Sequence, residues 1–214
     1  QSRGLGDVYK RQCFMSSIEA LYDLRGCADR IIASPCEVMA AGFNYTDILP
    51  HLLADAGTSY DLPGVCSEYY DYYMNRATTK SGCIALTVTG ELEPLAAIVK
   101  EIETKYPGKT YDRASLQTYE GLDEHVFYDL QGYIEAICDE KDPLLDKFRA
   151  QMGKAFPTES RLHTPSFYSV YGLGDAPNGM HTIEDGKYSG VTTSAPCERF
   201  APEWAQTSWY RATH

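Results

Sequence analysis

Apolar positions along this chain fall into two spacings, one of helical period and one of alternation, and each marks an element. Phe14, Ile18 and Leu21, flanked by Met15 and Tyr22, recur at helical intervals, so residues 15–25 read as an amphipathic helix. Gly26 stops it, as glycine often does after a helix C-terminus. Residues 29–35, centred on Ile31-Ile32-Ala33, read as a short buried strand ended by Pro35. Residues 45–53 read as a helix with Thr46 as N-cap and with Ile48, Leu49, Leu52 and Leu53 facing inward. Pro50 is tolerable there only within the first turn. Residues 63–76 follow as a helix with Val65, Tyr69, Tyr72 and Tyr73 on one face.

Ile84, Leu86 and Val88 alternate with Ala85 and Thr87, which gives a strand. Leu92, Leu95, Ala96, Val99 and Ile102 then keep a helical interval. Past Pro107, two further helices are marked by Phe127, Leu130, Tyr133, Ile134, Ile137 and by Leu144, Leu145, Phe148, Met152. Residues 166–170 read as a strand, 172–186 as a loop rich in Gly, Asp, Pro and Asn, 188–194 as a last strand and 205–212 as a terminal helix. Alternating strands and helices imply an α/β layered architecture with a largely parallel sheet. No internal repeat or low-complexity linker divides the chain, so one domain, or part of one, is expected.

The 214 residues are 43% hydrophobic and carry a formal charge of −11, enough apolar content for one sizeable core. An acidic surface repels phosphate backbones and anionic lipid, which argues against nucleic acid or membrane partners. No apolar run approaches the length that spans a bilayer. Seven cysteines stand at 13, 27, 36, 66, 83, 138 and 197 without a Cys-x-x-Cys pair, so neither a zinc knuckle nor a redox motif is supported. Their odd number leaves at least one free thiol, and apolar neighbours mark most as small buried hydrophobes. Tyr69-Tyr70-Asp71-Tyr72-Tyr73 is expected to pack in the core and not to stack on a ligand. Asp139, Glu140 and Asp142 are expected to form a solvated acidic turn.

Ser2 to Gln12 resembles the in-frame translation of a transposase adapter used to tag DNA for sequencing, and residues 1–12 are set aside as such a scar. That segment holds Arg3, Lys10 and Arg11 against Asp7, so the remainder carries −13. Residues 13–214 then read as the C-terminal part of a domain that begins upstream. From Cys13-Phe-Met-Ser-Ser-Ile-Glu19 to Arg25 the sequence resembles the clostripain family of cysteine peptidases, in which the catalytic cysteine opens such a segment. The likeness continues through Ala28 to Val38 and Gly42 to Leu49, weakens in the middle, and returns at Tyr188-Ser189-Gly190-Val191-Thr192-Thr193 and Thr207-Ser208-Trp209-Tyr210.

The resemblance implies a caspase-like three-layer α/β/α sandwich around a mainly parallel sheet, incomplete because strands N-terminal to Cys13 are missing. It implies a cysteine endopeptidase acting on protein or peptide substrates, with Cys13 as nucleophile and a covalent acyl-enzyme. A cysteine at a strand-to-helix junction would face the positive end of the helix dipole, which favours thiolate. In the family the partner histidine lies upstream, in a His-Gly context. His51, His125, His163, His181 and His214 all lie downstream and none is in a His-Gly pair, so the chain is expected to lack its dyad. The family's acidic residue two positions before the cysteine, tied to Arg or Lys preference at P1, is replaced by Arg11. Glu19 is expected to be structural, because cysteine peptidases use histidine as their acid and base. No cofactor is implied; calcium stimulation follows only by family analogy, with no site identifiable. An extracellular or periplasmic bacterial setting is likewise a family implication. A non-catalytic protein that keeps this fold for binding or scaffolding is the rival reading, since most of these landmarks would survive loss of activity.

Overall fold

Ile31 and Ala33 pack on one face of a central strand and Ile32 on the other, and this alternation divides the core in two. The computed structural model describes residues 7–9, 13–53, 60–171 and 177–214. The chain runs β1 (Asp7–Tyr9), α1 (Ile18–Leu24), β2 (Arg30–Ala33), α2 (Tyr45–Leu52), α3 (Leu62–Asp71) and β3 (Cys83–Val88). It continues through α4 (Leu92–Lys105), β4 (Tyr128–Asp129), α5 (Leu130–Ile137), α6 (Pro143–Ala155), β5 (Arg161–His163) and β6 (Ser166–Tyr168). It ends with β7 (Met180–Thr182), β8 (Thr192–Thr193), α7 (Ala201–Trp204) and α8 (Ser208–Thr213). The main sheet has the order β1-β2-β3-β5, and β4-β8 and β6-β7 form two small ribbons.

On one face, Ile18 and Leu21 of α1, Leu95 and Val99 of α4, Ile134 of α5, Phe148 and Met152 of α6, and Trp209 of α8 close over Ile31 and Ala33. On the other, Ile48 of α2 with Val65 and Tyr69 of α3 close over Ile32, Ile84 and Leu86. Helices therefore cover both faces, which is the three-layer α/β/α sandwich expected from the sequence. The sheet is mixed, however, and not mainly parallel. β1 pairs with β2 in parallel, but β2–β3 and β3–β5 are antiparallel. The reason at β2–β3 is that two packed helices, α2 and α3, lie between the strands. A helical pair returns the chain to the end of the sheet it left, whereas a single crossover helix would carry it back to the start. Asp7–Tyr9, set aside in the sequence reading, form β1, since main-chain groups can pair at an open edge whatever their side chains.

Several boundaries differ from expectation. α1 starts at Ile18, three residues later than its apolar spacing suggests, because the Ser17 hydroxyl accepts from Ala20 N at 3.3 Å and caps it. The residue before α2 is Asn44 in place of Thr46, and Pro50 lies past the first turn, where it removes the hydrogen bond to the Thr46 carbonyl. That short helix is held by fully buried Ile48, while Leu49 and Leu53 face solvent instead of the core. The tyrosine run does pack inward at Tyr69 and Tyr73, the latter in a π turn, Tyr72–Arg76, that extends α3. The stretch expected to be a loop contains β7, with 172–176 outside the described residues. The expected last strand shortens to β8, the terminal helix starts later as α8, and the short α7 ahead of it was not expected. Asp142 is buried, capping α6 through Leu144 N at 3.0 Å and pairing with Lys105 and the Tyr106 hydroxyl.

Two buried carboxylates tie the C-terminal segments to this frame. Asp129 accepts from Tyr119 Oη, Ser189 N and Ser189 Oγ at 2.8 Å each and from Gly132 N at 2.9 Å. Glu19 Oε1 accepts from Thr193 Oγ1 and Ser194 N at 2.9 Å and from Trp204 Nε1 at 3.0 Å. Its Oε2 is buried and has no partner among the described residues, and burial raises the Glu19 pKa despite those donors. All seven cysteines are free; Cys13 and Cys27 are exposed and the other five buried.

Asp129→Ala leaves four donors facing a buried gap and should destabilise the chain by about 3 kcal/mol, read as a lower urea midpoint. Because folded Glu19 holds its proton to higher pH than the ordinary value of 4.5, its contribution is greatest below that value and is lost as pH rises through the raised one. Unfolding free energies measured from pH 4 upward should therefore decline more steeply in the wild type than in Glu19→Gln; parallel profiles would remove this account. Native alkylation followed by mass spectrometry should modify Cys13 and Cys27 first, with the remaining five thiols reacting only on unfolding.

Candidate active site

Cys13 lies where three segments distant in sequence meet. Phe14 N–H donates to Cys36 O at 3.2 Å and Ser16 N–H to Ser34 O at 3.0 Å, which lays the thiol-bearing segment along the continuation of β2. Val38 N–H donates to Cys13 Sγ at 3.3 Å and fixes the sulfur's direction while leaving the residue exposed. On the opposite side, Ser16 Oγ donates to Gly190 O at 2.6 Å and Thr192 N–H to Ser16 O at 2.8 Å. The first, second and last resemblance segments of the sequence are thus brought together in space.

The expected link between Cys13 and a helix end is not what the geometry shows. Residues 14–17 separate the cysteine from α1, and the helix N-terminus is served by Ser17. In place of a helix end there is a strained turn: Phe14 adopts φ 59°, a left-handed conformation unusual for a bulky residue. Its ring stacks on Phe127 with centroids 4.6 Å apart and planes 5° from parallel, which helps hold that backbone.

Four histidines have a polar partner of their own, and among the described residues none of the five is joined to Cys13. His51 Nδ1 is 2.7 Å from Asp61, His125 Nδ1 2.7 Å from Glu120, His163 Nδ1 3.0 Å from Thr164 O and His214 Nδ1 3.0 Å from the Thr213 hydroxyl. His181 stacks on Phe167, and its buried Nε2 has no hydrogen-bond partner among the described residues. Glu19, expected to be structural, serves the C-terminal segments as described and makes no described contact with Cys13.

Two carboxylates near this region have no local sequence signal. Glu120 has a fully buried side chain that accepts from Val126 N at 2.8 Å, Phe127 N at 3.0 Å and Leu122 N at 3.2 Å besides His125. Its hydrogen bond to His125 raises the imidazole pKa, against the opposing effect of partial burial. Glu37 Oε1 accepts from Val170 N at 2.7 Å and Ser169 Oγ at 2.9 Å. A cavity of about 600 Å³ opens beside His125, between Arg113, Tyr128, Cys197 and Arg199, without Cys13 in its wall. No group of three or more His, Cys, Asp or Glu side chains among the described residues is arranged to hold a metal ion.

The sequence profile of the clostripain family matches residues 11–171. No curated protein sequence matches the chain. Among solved structures, a clostripain from Bacteroides thetaiotaomicron in complex with the peptide inhibitor BTN-VLTK-AOMK is 32% identical with a TM-score of 0.84, covering 98% of this chain and 87% of its own. Iotapain, a secreted cysteine protease from the same bacterium, is 33% identical with a TM-score of 0.85, and 56% of its chain is covered by 98% of this one. An inactive zymogen protease from Parabacteroides distasonis is 26% identical with a TM-score of 0.82, and this whole chain spans 60% of it. With its three resemblance segments meeting at one exposed cysteine and the family profile covering most of its length, the chain belongs to the clostripain family.

Proposed function

We propose that this chain is the cysteine-bearing part of an endopeptidase that hydrolyses peptide bonds in proteins or peptides, with Cys13 as nucleophile. The observation that carries this reading is the exposed Cys13 thiol, oriented by Val38 N–H at the meeting point of the three segments. Its sulfur attacks the scissile carbonyl carbon, a C–S bond forms as the C–N bond breaks, and the amine leaves with a proton from an imidazolium. Water then hydrolyses the thioester and regenerates the thiol. The imidazole comes from sequence upstream of Cys13, a reading supported by the lack, among the described residues, of any hydrogen bond between Cys13 and a histidine and by the separate polar partners of His51, His125, His163 and His214.

A preference for Arg or Lys at P1 is supported by the inhibitor bound to the Bacteroides clostripain, in which Lys adjoins the reactive group. Export from the cell is supported by the secreted relative. No helix among the described residues is long and apolar enough to cross a membrane.

The test uses the protein encoded by the complete reading frame and an acyloxymethyl ketone peptide ending in Lys. Covalent labelling and cleavage of a matching substrate should both be present in the wild type. Cys13→Ala should abolish labelling and lower kcat/KM by a factor on the order of 10⁴. Labelling that survives Cys13→Ala would overturn the nucleophile assignment. A complete frame without an upstream histidine would favour a binding or scaffolding protein instead.

A further inference from the structure

Val170 and Tyr171 expose 50% and 48% of their surface although the backbone beneath them is tightly bound. Val170 N–H donates to Glu37 Oε1 at 2.7 Å, and the Ser169 hydroxyl donates to the same oxygen at 2.9 Å. Ser169 has no exposed surface, and its Oγ accepts from Tyr171 N at 3.2 Å and Gly121 N at 3.1 Å. Gly121 lies so close behind that a Cβ there would sit 2.3 Å from Tyr171 O. A carboxylate, a hydroxyl and a close backbone contact therefore fix this turn from below, and its apolar side chains stand outward. A loose surface loop needs none of those restraints.

The anchor leads to the thiol. Glu37 precedes Val38, whose N–H donates to Cys13 Sγ. From the sulfur through Val38 and Glu37 to Val170 the reach is roughly 13 Å, which an extended peptide covers in about four residues. We propose that Val170 and Tyr171 form an apolar ledge of the substrate cleft that receives a hydrophobic side chain within four residues of the scissile bond, with Glu37 as its positioning residue. This inference rests on Cys13 being the nucleophile. The occupant is a substrate segment because the ledge is continuous, through two hydrogen bonds, with the group that attacks it. Covering both side chains removes apolar surface from water, which rewards Leu over Ser at the facing position.

The experiment compares, in the complete enzyme, peptides that differ only by Leu or Ser at each of the four positions on either side of the cut. The wild type should favour Leu at one of these positions by about tenfold in kcat/KM. A Val170→Ser/Tyr171→Ser double variant should bring that ratio close to 1. Glu37→Ala should raise KM for the Leu peptide, and Glu37→Gln, which keeps an acceptor oxygen, should restore much of it. In the double variant the rate of Cys13 alkylation by iodoacetamide should stay unchanged, which separates a lost ledge from a damaged fold. No Leu preference in the wild type, or a preference that survives the double variant, overturns the ledge and leaves Cys13 untouched. Absence of Cys13-dependent cleavage of every peptide overturns the peptidase reading and the ledge together.

Discussion

A carboxylate taken out of water must collect donors, and in this chain the donors that Glu19 and Asp129 collect decide where the last segments lie. Asp129 holds Ser189 by both its N–H and its hydroxyl, and Glu19 holds Thr193 and Ser194. Between those anchors, Gly190 O and Thr192 N–H meet Ser16, three residues after the cysteine. The backbone around the thiol is thus supported on one side by β2 and its continuation and on the other by a segment that two buried acids hold in place. Removing either acid acts on the site through geometry, since neither has a described contact with the sulfur.

The same arrangement makes the turn at Phe14 sustainable. A left-handed phenylalanine is costly in isolation, and here Cys36 O receives its N–H while Phe127 receives its ring. Phe127 is itself placed by Glu120, which accepts its N–H. Buried Glu120, with its three backbone donors and His125, therefore stabilises the wall against which the thiol segment turns, although no chemistry is assigned to it.

What could be read from the sequence follows the range of the forces involved. Helix α4 was legible because Leu92, Leu95, Ala96, Val99 and Ile102 repeat within one element, and all five are buried. Layering was legible because β2 and β3 are apolar on both faces. The sense of β3 was not, since nothing local says that α2 and α3 fold back as a pair. Nor was the start of α1, because apolar periodicity continued into Met15 and Phe14 while a serine hydroxyl several residues later made the cap. At the candidate site, Cys13 was singled out by resemblance alone. The acceptors that shape its surroundings were not, because Glu37 meets Val170 across 133 residues and Glu19 meets Ser194 across 175.

Gly190 shows why landmarks at opposite ends of such a chain occur together. Its φ is 78°, and a Cβ at that position would lie 2.7 Å from Ala85 Cβ on β3 and 3.2 Å from Arg161 on β5. Only glycine lets the segment pass this close to the sheet, and only a segment this close can offer its carbonyl to Ser16 Oγ. The preceding serine must reach Asp129 at the same time. A Ser-Gly pair near the C-terminus and a Cys-x-x-Ser segment near the start are therefore two halves of one hydrogen-bonded joint, and a change in either half shifts the backbone that presents Cys13.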